Sequence, residues 1–219
     1  MREIITIDGP SGSGKSTISR LVAARLGYTF LDTGAMYRAV GYTARQHGIS
    51  LDDQNALAAL LDAMDLQLVP ADGDTRVFVD GKEISQAIRT AEMGLVASRV
   101  SAQPVVRQRL TAMQQRLGEA GRVVAEGRDT GTVVFPDARH KFFLDAAPEE
   151  RARRRCQQLR EKGMPADERE ILAQIRRRDE EDSRRSLAPM RAAADALIID
   201  TSTLTIEQVV HRMLEKVAK

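Results

Sequence analysis

The sequence predicts an α/β fold built on a parallel central sheet, and three observations carry that expectation. Short apolar runs (Ile4–Ile7, Thr29–Leu31, Arg122–Ala125, Lys141–Leu144 and Ala196–Ile199) recur along the 219 residues. Helix-patterned segments separate them, and strands alternating with helices imply a sheet covered on both faces. At the first strand-to-helix junction stands a glycine-rich loop, Gly9-Pro10-Ser11-Gly12-Ser13-Gly14-Lys15-Ser16. Ligands of such sheets gather at the carboxyl ends of the strands, where this loop lies.

The loop reads as a phosphate-gripping P-loop. Its glycines let the backbone curl until several N–H groups face one point, Lys15 adds a positive charge there, and the Ser16 hydroxyl can take a Mg²⁺ ligand position. Thr17 opens the helix behind it, in which Ile18, Leu21, Val22 and Leu26 fall at helical spacing before Gly27 closes the segment. The positive end of that helix points at the same spot. Thr29-Phe30-Leu31 then forms a short second strand ending at Asp32-Thr33-Gly34, and a helix carrying Met36 and Val40 runs to about Gln46. A closing helix is expected from Ile206 to Val217.

Two segments break the rhythm. Between Leu66 and Ile84, Gln67-Leu68-Val69, Arg76-Val77-Phe78-Val79 and Lys82-Glu83-Ile84 are extended runs, the last two joined by Asp80-Gly81, a hairpin signal. Antiparallel strands inside a parallel pattern imply an insertion, ending near Ala102. The second segment, Pro148 to Ala188, is helical and basic. From Arg151 to Arg191 there are thirteen Lys or Arg against eight Asp or Glu, while the whole chain carries a net charge of only +2. Positive charge is therefore concentrated, and most of it is arginine, whose planar fork matches phosphate oxygens. Arg153, Arg160, Arg169 and Arg176 read equally well as a solvated surface.

Composition bounds the class. The 42% hydrophobic content supplies a core and the 29% charged content a polar exterior. Cys156 is the sole cysteine, so no internal disulfide is possible, and a reducing cytoplasm is the expected compartment. His47, His140 and His211 are too scattered to suggest a metal cluster. No run is long and apolar enough to cross a bilayer, so neither membrane nor secretory targeting is expected. The length suits one domain with insertions, and nothing in it demands more than a monomer.

Two further constellations suggest chemistry. Arg178, Asp182 and Arg185 would share one face of a continuous helix, as a grip on a sugar phosphate or as a surface ion-pair row. Glu126-Gly127-Arg128-Asp129-Thr130-Gly131 follows the third apolar run, with a glycine on each side of Arg128-Asp129 that lets backbone approach a ligand closely. A structural turn with a partnered arginine would fit the same residues.

Taken together, Asp8 to Ser16, Leu31-Asp-Thr-Gly-Ala-Met-Tyr-Arg38 and Gly127-Arg-Asp-Thr-Gly-Thr-Val-Val-Phe-Pro-Asp137 resemble the bacterial cytidylate kinase family, in order and across nearly the whole chain. Ile88-Arg89-Thr90 fits the same pattern. The resemblance implies a three-layer P-loop NTPase fold with a core at 1–62, 103–147 and 184–219, an NMP-binding subdomain at 63–102 and an arginine-rich lid at 148–183. It implies transfer of the γ-phosphoryl group of ATP, with Mg²⁺, to CMP or dCMP. Arg38, Arg128 and Arg185 would hold the acceptor phosphate in a pocket lined by Thr33 and Tyr37. Arg178 and Asp182 would meet the ribose, and Ser98, Arg107 and Asp129 the base. Catalysis would rest on Lys15, Arg128, Asp129 and Arg185. Arg154 and Arg155, near the start of the lid, are candidates for ATP contacts from position.

Three other functions remain to be weighed. A kinase of a different nucleotide or of shikimate would share loop and lid. A regulatory GTPase would carry an Asn-Lys-x-Asp guanine reader, whereas the one asparagine, Asn55, precedes alanine. A nucleic-acid binder could use the arginines, yet the cluster holds no aromatic residue on which bases could stack.

Overall fold

The computed structural model describes residues 3–71, 74–161 and 163–218. Five strands form one parallel sheet in the order β2-β6-β1-β7-β8: β1 (Ile4–Asp8), β2 (Thr29–Asp32), β6 (Val123–Glu126), β7 (His140–Asp145) and β8 (Leu197–Asp200). All five were expected from the apolar runs, within a residue or two at each end. β1 lies at the centre, pairing with β6 from Ile4↔Val123 to Ile7↔Glu126 and with β7 from Ile5↔His140 to Asp8↔Phe143. The chain leaves β1 toward β2 on one side and crosses from β6 to β7 on the other. That reversal opens a crevice at the carboxyl edge of β1, where the P-loop begins.

Alternation along β1 sorts its side chains between two cores. Ile5 and Ile7 face a cluster with Ile18 and Val22 of α1 (Lys15–Leu26) and Val209, Val210 and Met213 of α8 (Ile206–Val217). Ile4 faces the other cluster, with Met36 and Val40 of α2 (Thr33–Gln46) and Val106 and Leu110 of α5 (Pro104–Leu117). Each such fully buried aliphatic side chain contributes about 1.5–3 kcal/mol. These two layers hold β1 rigidly beneath the loop. α8 starts with a capping box in which Thr205 and Gln208 satisfy each other's backbone N–H groups.

The insertion forms a three-stranded antiparallel sheet of β3 (Leu66–Ala71), β4 (Asp74–Val79) and β5 (Lys82–Glu83). Asp80 and Gly81 turn between β4 and β5 with φ of 50° and 75°, the double positive-φ turn that an Asp-Gly pair favours. Three helices had no counterpart in the apolar-run pattern: α3 (Gln54–Ala63), α4 (Ala91–Ser101) and α5. The apolar residues of the insertion pack into the main core: Val77, Val79, Ile88, Ala97 and Val100 join the cluster that contains Met36 and Val40. The basic segment folds as α6 (Pro148–Glu161) and α7 (Glu168–Arg184).

α2 and α4 approach so closely that a Cβ on Gly41 would stand 2.4 Å from Cγ1 of Val96. A branched side chain fixed by packing cannot swing away. Gly41→Ala is therefore expected to destabilise the protein by about 1–3 kcal/mol. Adding Val96→Ala should return part of that loss in chemical denaturation; strictly additive losses would show that this contact does not set the spacing of the helices.

Candidate active site

The P-loop is shaped by positive-φ backbone, which favours glycine, at three points: Gly9, Gly12 and Gly14. Gly9 adopts φ +142°, where a Cβ would collide with the Leu144 carbonyl, and Gly12 adopts φ +82°. α1 follows a left-handed Gly14 with no side chain capping its N-terminus, so its first N–H groups remain available to an anion. Lys15 is buried and its ammonium turns back onto the Pro10 carbonyl, 2.5 Å away, and toward Ser13 Oγ. Burial, reinforced by the charge of Arg128, lowers its pKa. A polyanion in the loop would reverse that pressure. Ser11, Ser16 and Thr17 remain at least partly open to solvent, whereas Ser13 is buried and donates to the Pro10 carbonyl.

Three strand ends bring acids to the same edge. Asp32, closing β2, caps α2 through the Ala35 N–H and holds Arg38 at 2.8 Å. Glu126, closing β6, accepts a hydrogen bond from Ser16 Oγ at 2.7 Å, and its backbone carbonyl accepts one from Thr33 Oγ1. Burial, with Asp32 nearby, raises the Glu126 pKa. Its Oε2 is buried without a hydrogen-bond partner. Asp8, closing β1, accepts from the backbone N–H groups of Thr130 and Gly131 and from Thr130 Oγ1 at 2.7–2.9 Å. These bonds fix the π turn Thr130–Val134 and, directly before it, Arg128 and Asp129.

Opposite the loop, guanidinium groups share two buried carboxylates. Asp182 lies 3.3 Å from Arg128, 3.8 Å from Arg178 and 3.9 Å from Arg185, and accepts from Ser98 Oγ at 2.8 Å. Burial opposes its ionisation, but Arg128, Arg178 and Arg185 outweigh burial and hold its pKa below the ordinary value. Asp129 bridges Arg107 at 2.7 Å and Arg185 at 3.3 Å. Arg107 also donates to the Ser101 carbonyl and lies 5.4 Å from the Tyr37 ring centroid, within cation–π range. Burial and the neighbouring Arg128 push Arg178 down to about 10. Arg38, Arg107 and Arg178 each keep a buried N–H without a protein partner, at Nε, Nη2 and Nε respectively. Such groups normally find partners, and these sit where a ligand could supply them.

The structure thus brings together Lys15, Thr33, Tyr37, Arg38, Ser98, Arg107, Arg128, Asp129, Arg178, Asp182 and Arg185. One expectation needs correcting: Arg178, Asp182 and Arg185 do not share a continuous helix. α7 stops at Arg184, and Arg185 is extended, at φ −60° and ψ 142°. The turn out of the helix lets the Arg185 side chain reach Asp129 and Ser101 as well as Asp182. Nor are Arg154 and Arg155 equivalent. Arg154 binds Thr201, whose hydroxyl donates to the Ser13 carbonyl, so it reaches the P-loop through one intermediary. Arg155 meets Gln158 on its own helix and is not joined to the cluster.

Sequence reasoning assigned no role to Asp8, Asp32, Glu126, Arg151 or Thr201. The first three could have been found as acids at the ends of strands flanking the loop. Thr201 carries no such mark, and Arg151 was one arginine among many.

A P-loop at the switch point of a parallel sheet, with a helical hairpin of arginines above it, defines a P-loop kinase. The match to solved structures agrees at the level of fold: a shikimate kinase from Bacteroides thetaiotaomicron has a TM-score of 0.51 over all of both chains at 16% identity. The family model described as cytidylate kinase matches residues 5–219. Cytidylate kinase from Syntrophotalea carbinolica is 50% identical over 99% of this chain and 92% of its own length. That from Azotobacter vinelandii is 47% identical over 98% and 95%. The chain belongs to the cytidylate kinase family, ATP-dependent nucleoside monophosphate kinases that phosphorylate CMP and dCMP.

Asp8 gives this site a pH dependence. Burial lifts its carboxyl from the ordinary 3.8 to about 6, against the pull of the Gly131 and Thr130 donors. A carboxyl raised on folding favours the folded state when protonated; this contribution is complete below pH 3.8 and lost as pH rises through about 6. The unfolding free energy of the wild type relative to Asp8→Asn should fall by on the order of 3 kcal/mol across that window. A constant difference between pH 3 and 7 would remove the effect.

Proposed function

We propose that the crevice between the P-loop and the arginine cluster is where the γ-phosphoryl group of ATP passes to CMP or dCMP, giving ADP and CDP or dCDP. The observation that carries this reading is the convergence of Arg128, Arg178 and Arg185 on Asp182, within 3.9 Å, beside the buried Lys15. In the reaction an oxygen of the acceptor 5′-phosphate bonds to the γ-phosphorus as the bond from that phosphorus to the β,γ-bridging oxygen breaks. The attacking oxygen is already anionic, so no strong general base is required. The barrier lies in bringing two polyanions into line, which calls for fixed positive charge around the transferring group. Arginine answers that need better than histidine, because its charge persists at any physiological pH.

In this reading Gly9 to Thr17 cradle the donor phosphates, and Lys15 faces the transferring group. Arg38, Arg128 and Arg185 grip the acceptor phosphate, with Thr33 and Tyr37 beside it, and Arg178 and Asp182 meet the ribose. Mg²⁺ fits the loop: Ser16 and Glu126 offer hard oxygen donors, and the buried Glu126 Oε2 lacks a partner. It would neutralise charge on the phosphates. Among the described residues no group of three or more His, Cys, Asp or Glu is arranged to hold a metal.

Asp129 and Arg107 read the base together with Ser98. Cytosine offers an amino donor at N4 beside acceptors at N3 and O2; a carboxylate suits the first and a guanidinium the others. Asp129 spends two acceptor positions on Arg107 and Arg185, and a carboxylate has about four. Uracil would place a carbonyl against the same anion. Segments 63–102 and 148–183 serve as the acceptor-binding and lid elements and close to exclude water. All these residues come from one chain, so a monomer suffices, acting on free nucleotides in the cytoplasm without nucleic acid. Among the described residues no helix is long and apolar enough to cross a membrane.

The decisive measurement is ADP release from purified protein with Mg²⁺, ATP and each of CMP, dCMP, UMP, AMP, GMP and shikimate. CMP and dCMP should lead, and a higher kcat/KM for any other acceptor would overturn the reading. Asp129→Ala should shrink the CMP-over-UMP preference by about 10- to 100-fold. An unchanged ratio would take Asp129 out of base recognition. Arg154→Ala should raise the KM for ATP more than Arg155→Ala does, since only Arg154 is tied to the loop through Thr201.

A further inference from the structure

Among the arginines of α6, Arg151 alone is fully buried, at 3% exposure. Its neighbour Arg153 pairs with Glu150 along the helix surface. Arg151 instead spends its guanidinium on three separate parts of the chain. Nε donates to the Ala146 carbonyl just beyond β7 at 2.8 Å, Nη1 to the Ser11 carbonyl of the P-loop at 3.2 Å, and Nη2 lies 2.6 Å from Asp179 Oδ2 on α7.

The contact with Ser11 has a geometric consequence. The Ser11 carbonyl and the Gly12 N–H belong to one planar peptide unit, so fixing the direction of the first fixes the second. Gly12 packs directly against Arg151, where a Cβ would stand 3.2 Å from the arginine Cβ. Arg151 thereby orients a backbone N–H of the phosphate loop. At its other end, Asp179 precedes by three residues Asp182, the acid that organises the arginines, and follows Arg178, whose Nη1 lies 3.5 Å from Ser11 Oγ. Ser11 is thus held from α6 at its carbonyl and from α7 at its hydroxyl.

A lid serving only as a cover could pack these helices through apolar side chains, and a buried ion pair is a poor device for stability alone. We propose that Arg151 and Asp179 are positioning residues that couple the donor loop to the acceptor grip: the peptide orientation that binds ATP phosphates and the placement of α7 behind Arg178 and Asp182 are set by one shared guanidinium. This rests on the assignment of donor and acceptor sites above. Filling the P-loop should then tighten CMP binding, and by linkage CMP should tighten binding of the donor by the same factor.

The test is calorimetric titration of CMP into the full-length protein with Mg²⁺, with and without a non-hydrolysable ATP analogue. Wild type should bind CMP roughly 5- to 150-fold more tightly when the analogue is present, the usual range of site-to-site coupling. In Asp179→Asn, which keeps the shape and removes the charge, the ratio should fall toward 1. Arg151→Lys keeps the charge but cannot span three acceptors, and should fall likewise. The double variant should be no worse than the weaker single variant, whereas independent structural roles would give additive losses. Asp179→Glu, retaining the ion pair at altered reach, should restore part of the ratio and covers the case in which Asp179→Asn does not fold. A wild-type ratio of 1, or variants with native circular dichroism and wild-type coupling, would overturn the proposal. Failure of wild type to bind CMP at all would instead overturn the assigned substrate.

Discussion

The site depends on a balance of charge in a space with little water. Lys15, Arg38, Arg107, Arg128, Arg178 and Arg185 crowd one crevice, and burial alone would make so many cations prohibitively unstable. Asp8, Asp32, Glu126, Asp129 and Asp182 stand among them, nearly one acid for each cation. Asp182 is the most shared, with three arginines and a serine hydroxyl on two oxygens. The cluster is therefore close to neutral, yet no guanidinium is saturated, since each offers more donors than its acid can accept. Phosphates can be received by the remaining donors without first breaking every internal pair. Full neutralisation by more acids would have produced a stable core and a poor anion site.

The fold places these charges by an economy of strand ends. Asp8, Asp32 and Glu126 are the last residues of three adjacent strands, and parallel register sets them at one edge: Asp32 pairs with Glu126, which pairs with Ile7 beside Asp8. The apolar residues before them lock the strands between two helical layers, so the acids stand at fixed spacing without needing partners of their own type. Asp8 then carries the register outward, since its three acceptor bonds all go to the turn that follows Asp129. Position is thus transmitted from the core to the ligand-facing residues by backbone N–H groups, which cannot change rotamer.

What could be read from the chain follows from the range of the forces involved. Short apolar runs, an Asp-Gly turn signal and a glycine loop are local, and they disclosed the parallel sheet, the hairpin at Asp80-Gly81 and the P-loop. α3, α4 and α5 went unassigned although Leu57 and Leu60, Met93, Ala97 and Val100, and Val106 and Leu110 fall at helical spacing, a local signal that was there to be found. α5 buries Arg107 and Gln114 beside Val106 and Leu110. Ion pairs such as Arg185 with Asp129, 56 residues apart, leave no periodic trace. Lys15, Arg128, Asp129, Arg178, Asp182 and Arg185 stood out by motif and spacing, whereas Thr33, Tyr37, Arg38, Ser98 and Arg107 were named only through the family resemblance, and Arg151 lay hidden because nothing local separates a buried arginine from an exposed one.

The two interruptions of the sheet are attached by different physics. The insertion contributes Leu66, Val77, Val79, Ile84 and Ile88 to the apolar cluster around α2. Swinging it away would expose that surface to water, at a cost proportional to area. The basic hairpin is different: α6 buries Ala152 and Cys156, but α7 buries only Asp182 completely, and its polar contacts run to Arg151 of α6, to Ser11, to Ser98 and to Arg128. Breaking such buried pairs with no substitute is costly, but phosphate oxygens can take a carboxylate's place as partner of the guanidinium groups. The basic hairpin is therefore held chiefly by charge and the insertion chiefly by packing.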